Sequence, residues 1–272
     1  MNINFTKMHG IGNDFIVIDA RDLDIKDYAG ISKTICHRRF GIGADQMLLL
    51  LKSDSADMRM RIFNSDGSEV EMCGNGIRCL AKYIWDRGIS SKETLDIETL
   101  AGIIRPKKAG DMVMVDMGEP RLYAEDIPIR LSGRVKDYPI EIEDKTFSIT
   151  CVSMGNPHAV IFMDNIDSFP VTYYGPLIET NPLFPMRTNV EFIEVLSKDR
   201  LKMRVWERGA GETMACGTGA CASLVAASLN GLSDRKAVLS LTGGELFIEW
   251  AEDNRVYMTG PAVEGFIGDI EI

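Results

Sequence analysis

Two cysteines in this chain head nearly the same four-residue block, Cys73-Gly74-Asn75-Gly76 and Cys216-Gly217-Thr218-Gly219, 143 positions apart in 272 residues. A cysteine at the start of a helix is placed to act as an acid or base, because unpaired backbone N–H groups and the positive end of the helix dipole lower the free energy of its thiolate. The glycines behind it let backbone approach a ligand closely, and the same orphan N–H groups can hold a carboxylate. A carboxylate bound there gains charge stabilisation as its α-carbon becomes carbanion-like, so no pyridoxal or flavin is required. Two such thiols on opposite sides of one carbon would remove a proton from one face and return it to the other. That is the chemistry of a racemase or epimerase.

The 143-residue offset recurs along the chain. Asn13 meets Asn156, Gln46 meets Asn189, Arg61-Ile62-Phe63-Asn64 meets Arg204-Val205-Trp206-Glu207, and residues 57–76 align with 200–219 without a gap. Separate blocks in one register are the mark of an internal duplication. They predict an α+β fold of two pseudo-symmetric lobes, each a strand-rich sheet or barrel wrapped around a central helix. The central helices are predicted over 76–87 and 219–229, each opening at its cysteine block and ending near a glycine, Gly88 and Gly231. Short apolar or alternating runs at 15–18, 47–51, 58–63, 112–115, 159–163, 191–195, 201–206, 245–250 and 255–258 read as strands. The expected boundary follows Gly118-Glu119-Pro120. This gives a lobe of residues 1–118 carrying Cys73 and a lobe of residues 119–263 carrying Cys216, with 264–272 free to return and complete the first.

Composition narrows the partners. With 45% hydrophobic and 26% charged residues the chain is ordinary for a globular protein, and a net charge of −10 supplies no electrostatic footprint for nucleic acid or an acidic membrane. A small molecule is the expected partner. No basic segment followed by an apolar stretch opens the chain and no run suits a membrane span, so a cytoplasmic location is expected. In that compartment the six cysteines stay reduced. No Cys-x-x-Cys pair occurs and His9, His37 and His158 are far apart, so no metal site is expected. Cys36, Cys79, Cys151 and Cys221 read as small buried hydrophobes, and Cys79 and Cys221 break the repeat register.

Asn13, Gln46, Asn64, Asn156 and Asn189 all fall in glycine- or proline-marked loops of the repeat. Singly each reads as a turn former or cap; together they form a set of uncharged amides suited to ammonium and carboxylate groups. Arg208 is the candidate bidentate carboxylate clamp, against the alternative of a surface ion pair. Glu207, at the repeat position of Asn64, could pair with an ammonium or tune a thiol. His158, after Gly155-Asn156-Pro157, could orient a cysteine or be a satisfied loop histidine.

These blocks resemble those of the diaminopimelate epimerase family. The residues concerned are Met8-His9-Gly10-Ile11-Gly12-Asn13-Asp14-Phe15, Ala44-Asp45-Gln46, Phe63-Asn64-Ser65-Asp66-Gly67-Ser68, Cys73 to Cys79, Gly155-Asn156-Pro157-His158, Thr188-Asn189-Val190 and Glu207-Arg208-Gly209-Ala210-Gly211-Glu212-Thr213 through Ala215-Cys216-Gly217-Thr218-Gly219. The resemblance implies a cofactor-independent interconversion of LL- and meso-diaminopimelate, feeding lysine and peptidoglycan synthesis, in a homodimer. It implies Cys73 and Cys216 as the acid/base pair and His158 and Glu207 as residues that modulate them. Asn13, Gln46, Asn64, Asn156, Asn189, Glu207 and Arg208 are implied as substrate contacts, and Gly74-Asn75 and Gly217-Thr218 as carboxylate-holding backbone. Related proline or hydroxyproline racemases and phenazine-type isomerases are the nearest alternative. Asn75 argues against the proline branch, which usually carries His there, and the presence of both cysteines argues against isomerases that lack them. A redox sensor or amino-acid binder whose thiols form a disulfide is the alternative of another class.

Overall fold

The structure is a computed structural model that describes residues 2–272. In chain order the elements are β1 (Asn2–Gly10), β2 (Asn13–Asp19), α1 (Tyr28–Ile35), β3 (Gln46–Leu51), β4 (Met58–Asn64), β5 (Glu69–Val70), α2 (Gly74–Asp86), β6 (Ile97–Thr99), β7 (Gly102–Ile104), β8 (Lys107–Ala109) and β9 (Met112–Asp116). There follow β10 (Tyr138–Ile142), β11 (Lys145–Ser153), β12 (Pro157–Phe162), α3 (Val171–Glu179), β13 (Asn189–Ser197), β14 (Arg200–Glu207), β15 (Gly211–Thr213), α4 (Gly217–Leu229), β16 (Lys236–Leu241), β17 (Gly244–Trp250), β18 (Val256–Gly260) and β19 (Val263–Glu271). The chain divides into two compact units: one runs to Asp116 and takes back Thr259–Ile272, the other is Met117–Met258.

Each unit repeats one plan. In the first, β2 crosses through α1 to the parallel β3, β4 returns antiparallel, and α2 carries the chain to the parallel β6. The strand order is β19-β1-β2-β3-β4-β6-β7, with β5 on β4. In the second unit β12 crosses through α3 to the parallel β13, β14 returns antiparallel, and α4 leads to the parallel β16. Its order runs β10-β11-β12-β13-β14-β16-β17, with β15 on β14. The α2 and α4 helices have the same length and stand 143 residues apart, so the duplication seen in the residues is a duplication of structure.

Alternation along the strands explains why each sheet needs two helices. In β3, Met47, Leu48, Leu49 and Leu50 are all fully buried, because parallel crossovers cover both faces of the strand. Met47 and Leu49 pack with Ile35 of α1. Leu48 and Phe15 face the opposite way, against Gly76 at the head of α2. Strands β1, β2, β3, β4 and β9 all contact α2, and β11, β12, β13, β14, β16 and β17 all contact α4. Each central helix is therefore wrapped by sheet. Its composition fits: α2 buries Ile77, Leu80, Ala81 and Ile84, a helical stripe, while α4 buries every residue from Gly219 to Ala227.

The α1 and α3 helices are absent from the sequence-based expectation. At 8 and 9 residues they are too short to be stable alone and form by docking. α3 even contains Pro176 and has no side-chain cap; it is held through Val171, Tyr174 and Ile178 in the second unit's core.

Candidate active site

In the first unit, the duplicated polar residues gather where three adjacent strands end beside the first turn of α2. Asn13 opens β2, Gln46 opens β3 and Asn64 closes β4, with Gln46 and Asn64 directly opposite each other in the ladder. The tight turn that aims Asn13 uses Ile11 and Gly12, both at positive φ (49° and 89°), the conformation that matches a two-residue hairpin to the strand twist. Cys73 is the N-cap of α2, in extended backbone, and its sulfur accepts the Gly76 N–H at 3.4 Å. The sulfur also lies 3.7 Å from Asn13 Oδ1, which accepts a second hydrogen bond from Asn75 Nδ2 at 3.2 Å. Gln46 Nε2 donates to Asn64 Oδ1 at 2.8 Å.

Two residues that sequence reasoning passed over hold this arrangement. Asp45 accepts from Asn13 Nδ2 at 2.8 Å and from the Asp14 N–H at 3.1 Å. Burial opposes the charge of neighbouring Asp14, yet Arg38 and Lys7 outweigh it and hold that carboxyl well below its usual range. Arg78, fully buried, donates to Asn75 Oδ1 at 3.0 Å and to the Gly74 carbonyl at 3.2 Å, bracing the Cys73 block from behind.

The second unit builds the same frame from different side chains. Asn156 precedes β12, Asn189 opens β13, Glu207 closes β14 and Cys216 is the N-cap of α4. Asn156 Nδ2 donates to Thr218 Oγ1 at 3.2 Å, and that hydroxyl lies 3.6 Å from the Cys216 sulfur. Asn189 donates to the Pro157 carbonyl at 2.9 Å and accepts the Arg208 N–H at 2.9 Å. Glu207 accepts from Thr213 Oγ1 at 2.5 Å. The exposed Arg208 guanidinium donates to the Met186 carbonyl at 3.1 Å, and among the described residues no ion-pair partner accompanies it. The loop that carries it is anchored by buried Glu179, which accepts from the Gly209 N–H and Trp206 Nε1 at 3.0 and 2.7 Å.

Both ring nitrogens of His158 are taken by partners other than a cysteine. The side chain is fully buried, with Nδ1 2.6 Å from Glu191 Oε1 and Nε2 3.0 Å from Asn156 Oδ1. Glu191 was not foreseen as a site residue. A signal existed, since it takes the repeat position of the apolar Leu48.

Burial pushes the Cys216 thiol well above its ordinary range, and negative charge on Glu207 or Glu191 pushes it further; Thr218 and the Gly219 N–H act in the opposite direction. Burial, with Arg78 opposing it and Cys73 adding to it, moves Cys79 up to about 12, and Cys36 and Cys151 also move upward, chiefly by burial. These three, with buried Cys221, are core side chains.

Gly219 makes the approach of Glu191 possible. A Cβ there would stand 2.7 Å from Glu191 Oε1 and 3.2 Å from the Cys216 sulfur. Gly219→Ala should therefore destabilise the second unit by about 1–3 kcal/mol through overpacking and displace the sulfur. Thermal melts together with turnover check this, and an unchanged melting point with full turnover would refute it. At Gly76 the same atom would meet only Leu48, Cys73 and Phe15 carbons at 3.2–3.4 Å, so Gly76→Ala should be milder.

Solved structures define the class of fold. A phenazine biosynthesis protein of the PhzF family from Bacillus anthracis superposes with a TM-score of 0.75 at 18% identity, covering 100% of each chain. A hydroxyproline epimerase from Agrobacterium vitis superposes with a TM-score of 0.69 at 14% identity, over 99% of this chain and 92% of that one. The fold is the duplicated α+β architecture these proteins share. Sequence is more specific. The family model for diaminopimelate epimerase matches residues 5–123 and 150–264. The diaminopimelate epimerase of Moorella thermoacetica is 55% identical over 99% of this chain and 100% of its own length, and that of Acetivibrio thermocellus 52% identical over 99% of each. The chain belongs to the diaminopimelate epimerase family.

Proposed function

We propose that this protein interconverts LL- and meso-2,6-diaminopimelate by proton transfer at the α-carbon, without a cofactor, in the supply of lysine and peptidoglycan precursors. The observation that carries the reading is the duplicated cysteine N-cap, in each case beside an amide from the repeat, in a chain of this family. In this reading Cys73 and Cys216 address opposite faces of one α-carbon. Burial, the largest influence on the Cys216 thiol, favours its protonated form, the form that delivers a proton. The backbone N–H groups of Gly74-Asn75 and Gly217-Thr218 hold the α-carboxylate and stabilise charge as it develops. Asn13, Gln46, Asn64, Asn156 and Asn189 orient the substrate, Glu207 receives an ammonium, and Arg208 clamps the distal carboxylate.

The test is turnover of LL-diaminopimelate in deuterium oxide, with isomer ratio and α-deuterium read together. Inversion with one solvent deuteron gained at the α-carbon is expected. An amino-acid binder or redox sensor would exchange nothing. Loss of turnover on exhaustive dialysis against chelator, with recovery on adding metal, would overturn the cofactor-free part.

We further propose a cytoplasmic homodimer. Among the described residues no helix is long and apolar enough to cross a membrane. Support for the dimer comes from β19, the outer strand of the first unit's sheet, on which Val263, Phe266 and Ile267 are 43%, 52% and 54% exposed. An exposed apolar outer strand invites pairing with another chain. Sedimentation should give twice the chain mass, and Phe266→Glu should shift the species toward one chain; a monomeric parent protein would sink this.

A further inference from the structure

The two units differ most sharply where they should be most alike. Phe15 and Leu48, which pack under Gly76 beside Cys73, become His158 and Glu191 at the corresponding positions of the second unit. All four side chains are fully buried. Replacing an apolar pair by a histidine and a glutamate in a core is costly unless every hydrogen bond is made.

The hydrogen bonds of the second unit form one connected line. From Glu191 Oε1 it runs 2.6 Å to His158 Nδ1, from His158 Nε2 3.0 Å to Asn156 Oδ1, from Asn156 Nδ2 3.2 Å to Thr218 Oγ1, and from that hydroxyl 3.6 Å to the Cys216 sulfur. Its polarity follows from the donors available. Because Asn156 turns its amide hydrogen to Thr218, its oxygen faces His158, and only a hydrogen on Nε2 makes that contact. The short Nδ1–Oε1 contact then needs a second proton, since two bare lone pairs would repel. With both protons present, the pair is electrically neutral wherever the second one sits. The other oxygen, Glu191 Oε2, is buried with no hydrogen-bond partner, which also disfavours an uncompensated carboxylate. At the far end Thr218 Oγ1 accepts from Asn156, so its own hydrogen is free to point at sulfur.

We propose that Glu191 is a positioning residue for Cys216: by keeping a hydrogen on His158 Nε2, it aligns the successive donors so that the last, the Thr218 hydroxyl, faces the sulfur and favours its thiolate. The first unit has the opposite sense at its sulfur, where Cys73 faces the Asn13 carbonyl oxygen at 3.7 Å. The inference rests on the two-thiol reading for its purpose, although its geometry lies wholly within the second unit. The other ionisable groups in the field of Glu191 are Glu207 of β14, Cys151 of β11 and Cys216 itself.

The test reads the sulfur directly. Alkylation of the full-length protein by iodoacetamide is followed against pH, with Cys216 and Cys73 quantified separately by peptide mass spectrometry. Glu191→Leu combined with His158→Phe copies the pair that the first unit already packs, which guards the fold. In it, Cys216 alkylation at a fixed pH below its midpoint should slow at least about tenfold, a rise of one unit or more in the thiol's midpoint, while Cys73 is unchanged. Thr218→Val should do the same by removing the last donor. Glu191→Gln, whose amide still donates to Nδ1 and preserves the Nε2 hydrogen, should stay close to the parent. Unchanged or faster Cys216 alkylation in the double variant would overturn the inference, and faster alkylation would mean that Glu191 is an uncompensated carboxylate. A Glu191→Gln variant as slow as the double variant would overturn it too. Slowed Cys216 alkylation with undiminished epimerisation would support the inference and break the two-thiol reading, so the two fail separately.

Discussion

Cys73→Ala and Cys216→Ala each lose the inversion of diaminopimelate by about 10³-fold or more, because a positioned acid or base contributes factors of that order and each face of the carbon needs its own. Neither change should unfold the protein. Cys73 is partly exposed and its cap to Gly76 is long, at 3.4 Å, while Cys216 loses only weak sulfur contacts, to Thr218 Oγ1 at 3.6 Å and to the Gly219 N–H. The controls are Cys79→Ala and Cys221→Ala, both buried one to two turns further along the same helices. They should cost some stability and little turnover. The measurement is isomer interconversion in deuterium oxide, with circular dichroism to confirm folding. Near-parental inversion in either of the first two variants would remove the two-thiol mechanism.

The second large effect concerns the end of the substrate that is not reacting. Diaminopimelate carries an amino-acid group at each end, and in the proposed reading only one lies between the thiols. Lysine lacks the distal carboxylate and 2-aminopimelate the distal amine. Each should fall by about 10⁴-fold in kcat/KM, since a site built to hydrogen-bond a group is left with unpaired polar partners when that group is missing. Arg208→Lys should depress diaminopimelate turnover strongly, because an ammonium does not reproduce a planar two-pronged contact. The structure leaves room for such a contact: one guanidinium nitrogen of Arg208 is occupied by the Met186 carbonyl, and the backbone N–H is pinned by Asn189. Comparable rates for the three amino acids would make a broad-specificity racemase the better description.

Much of this protein was legible from residues alone, for a reason specific to duplication. A repeat carries its own internal control. The same offset relates Cys73 to Cys216, Asn13 to Asn156 and Gln46 to Asn189, and residues retained twice at loop and helix-start positions stand out from residues retained for packing. The central helices were legible because a cysteine block opens each and a glycine follows its end. The strands β2, β3, β4, β12, β13, β14 and β17 announced themselves as apolar runs of the right length.

What only the tertiary structure decided is how charge is arranged inside that frame. The short α1 and α3 helices carry little local signal, because their stability comes from docking onto a sheet face. The pairing of β19 with β1 joins residues at opposite ends of the chain, beyond any local pattern. Asp45, Arg78 and Glu191 read in sequence as ordinary charged residues near a turn, on a helix and in a strand. They became partners of Asn13, Asn75 and His158 once the loop before β3, the rotation of α2 and the register of β13 brought them together. Composition and spacing are set by the chain's own order, and so they show which residues the repeat retains. Whether a glutamate lies in water or shares a proton with a buried histidine depends on what covers it, and in this protein the cover over Glu191 is the glycine at the head of α4.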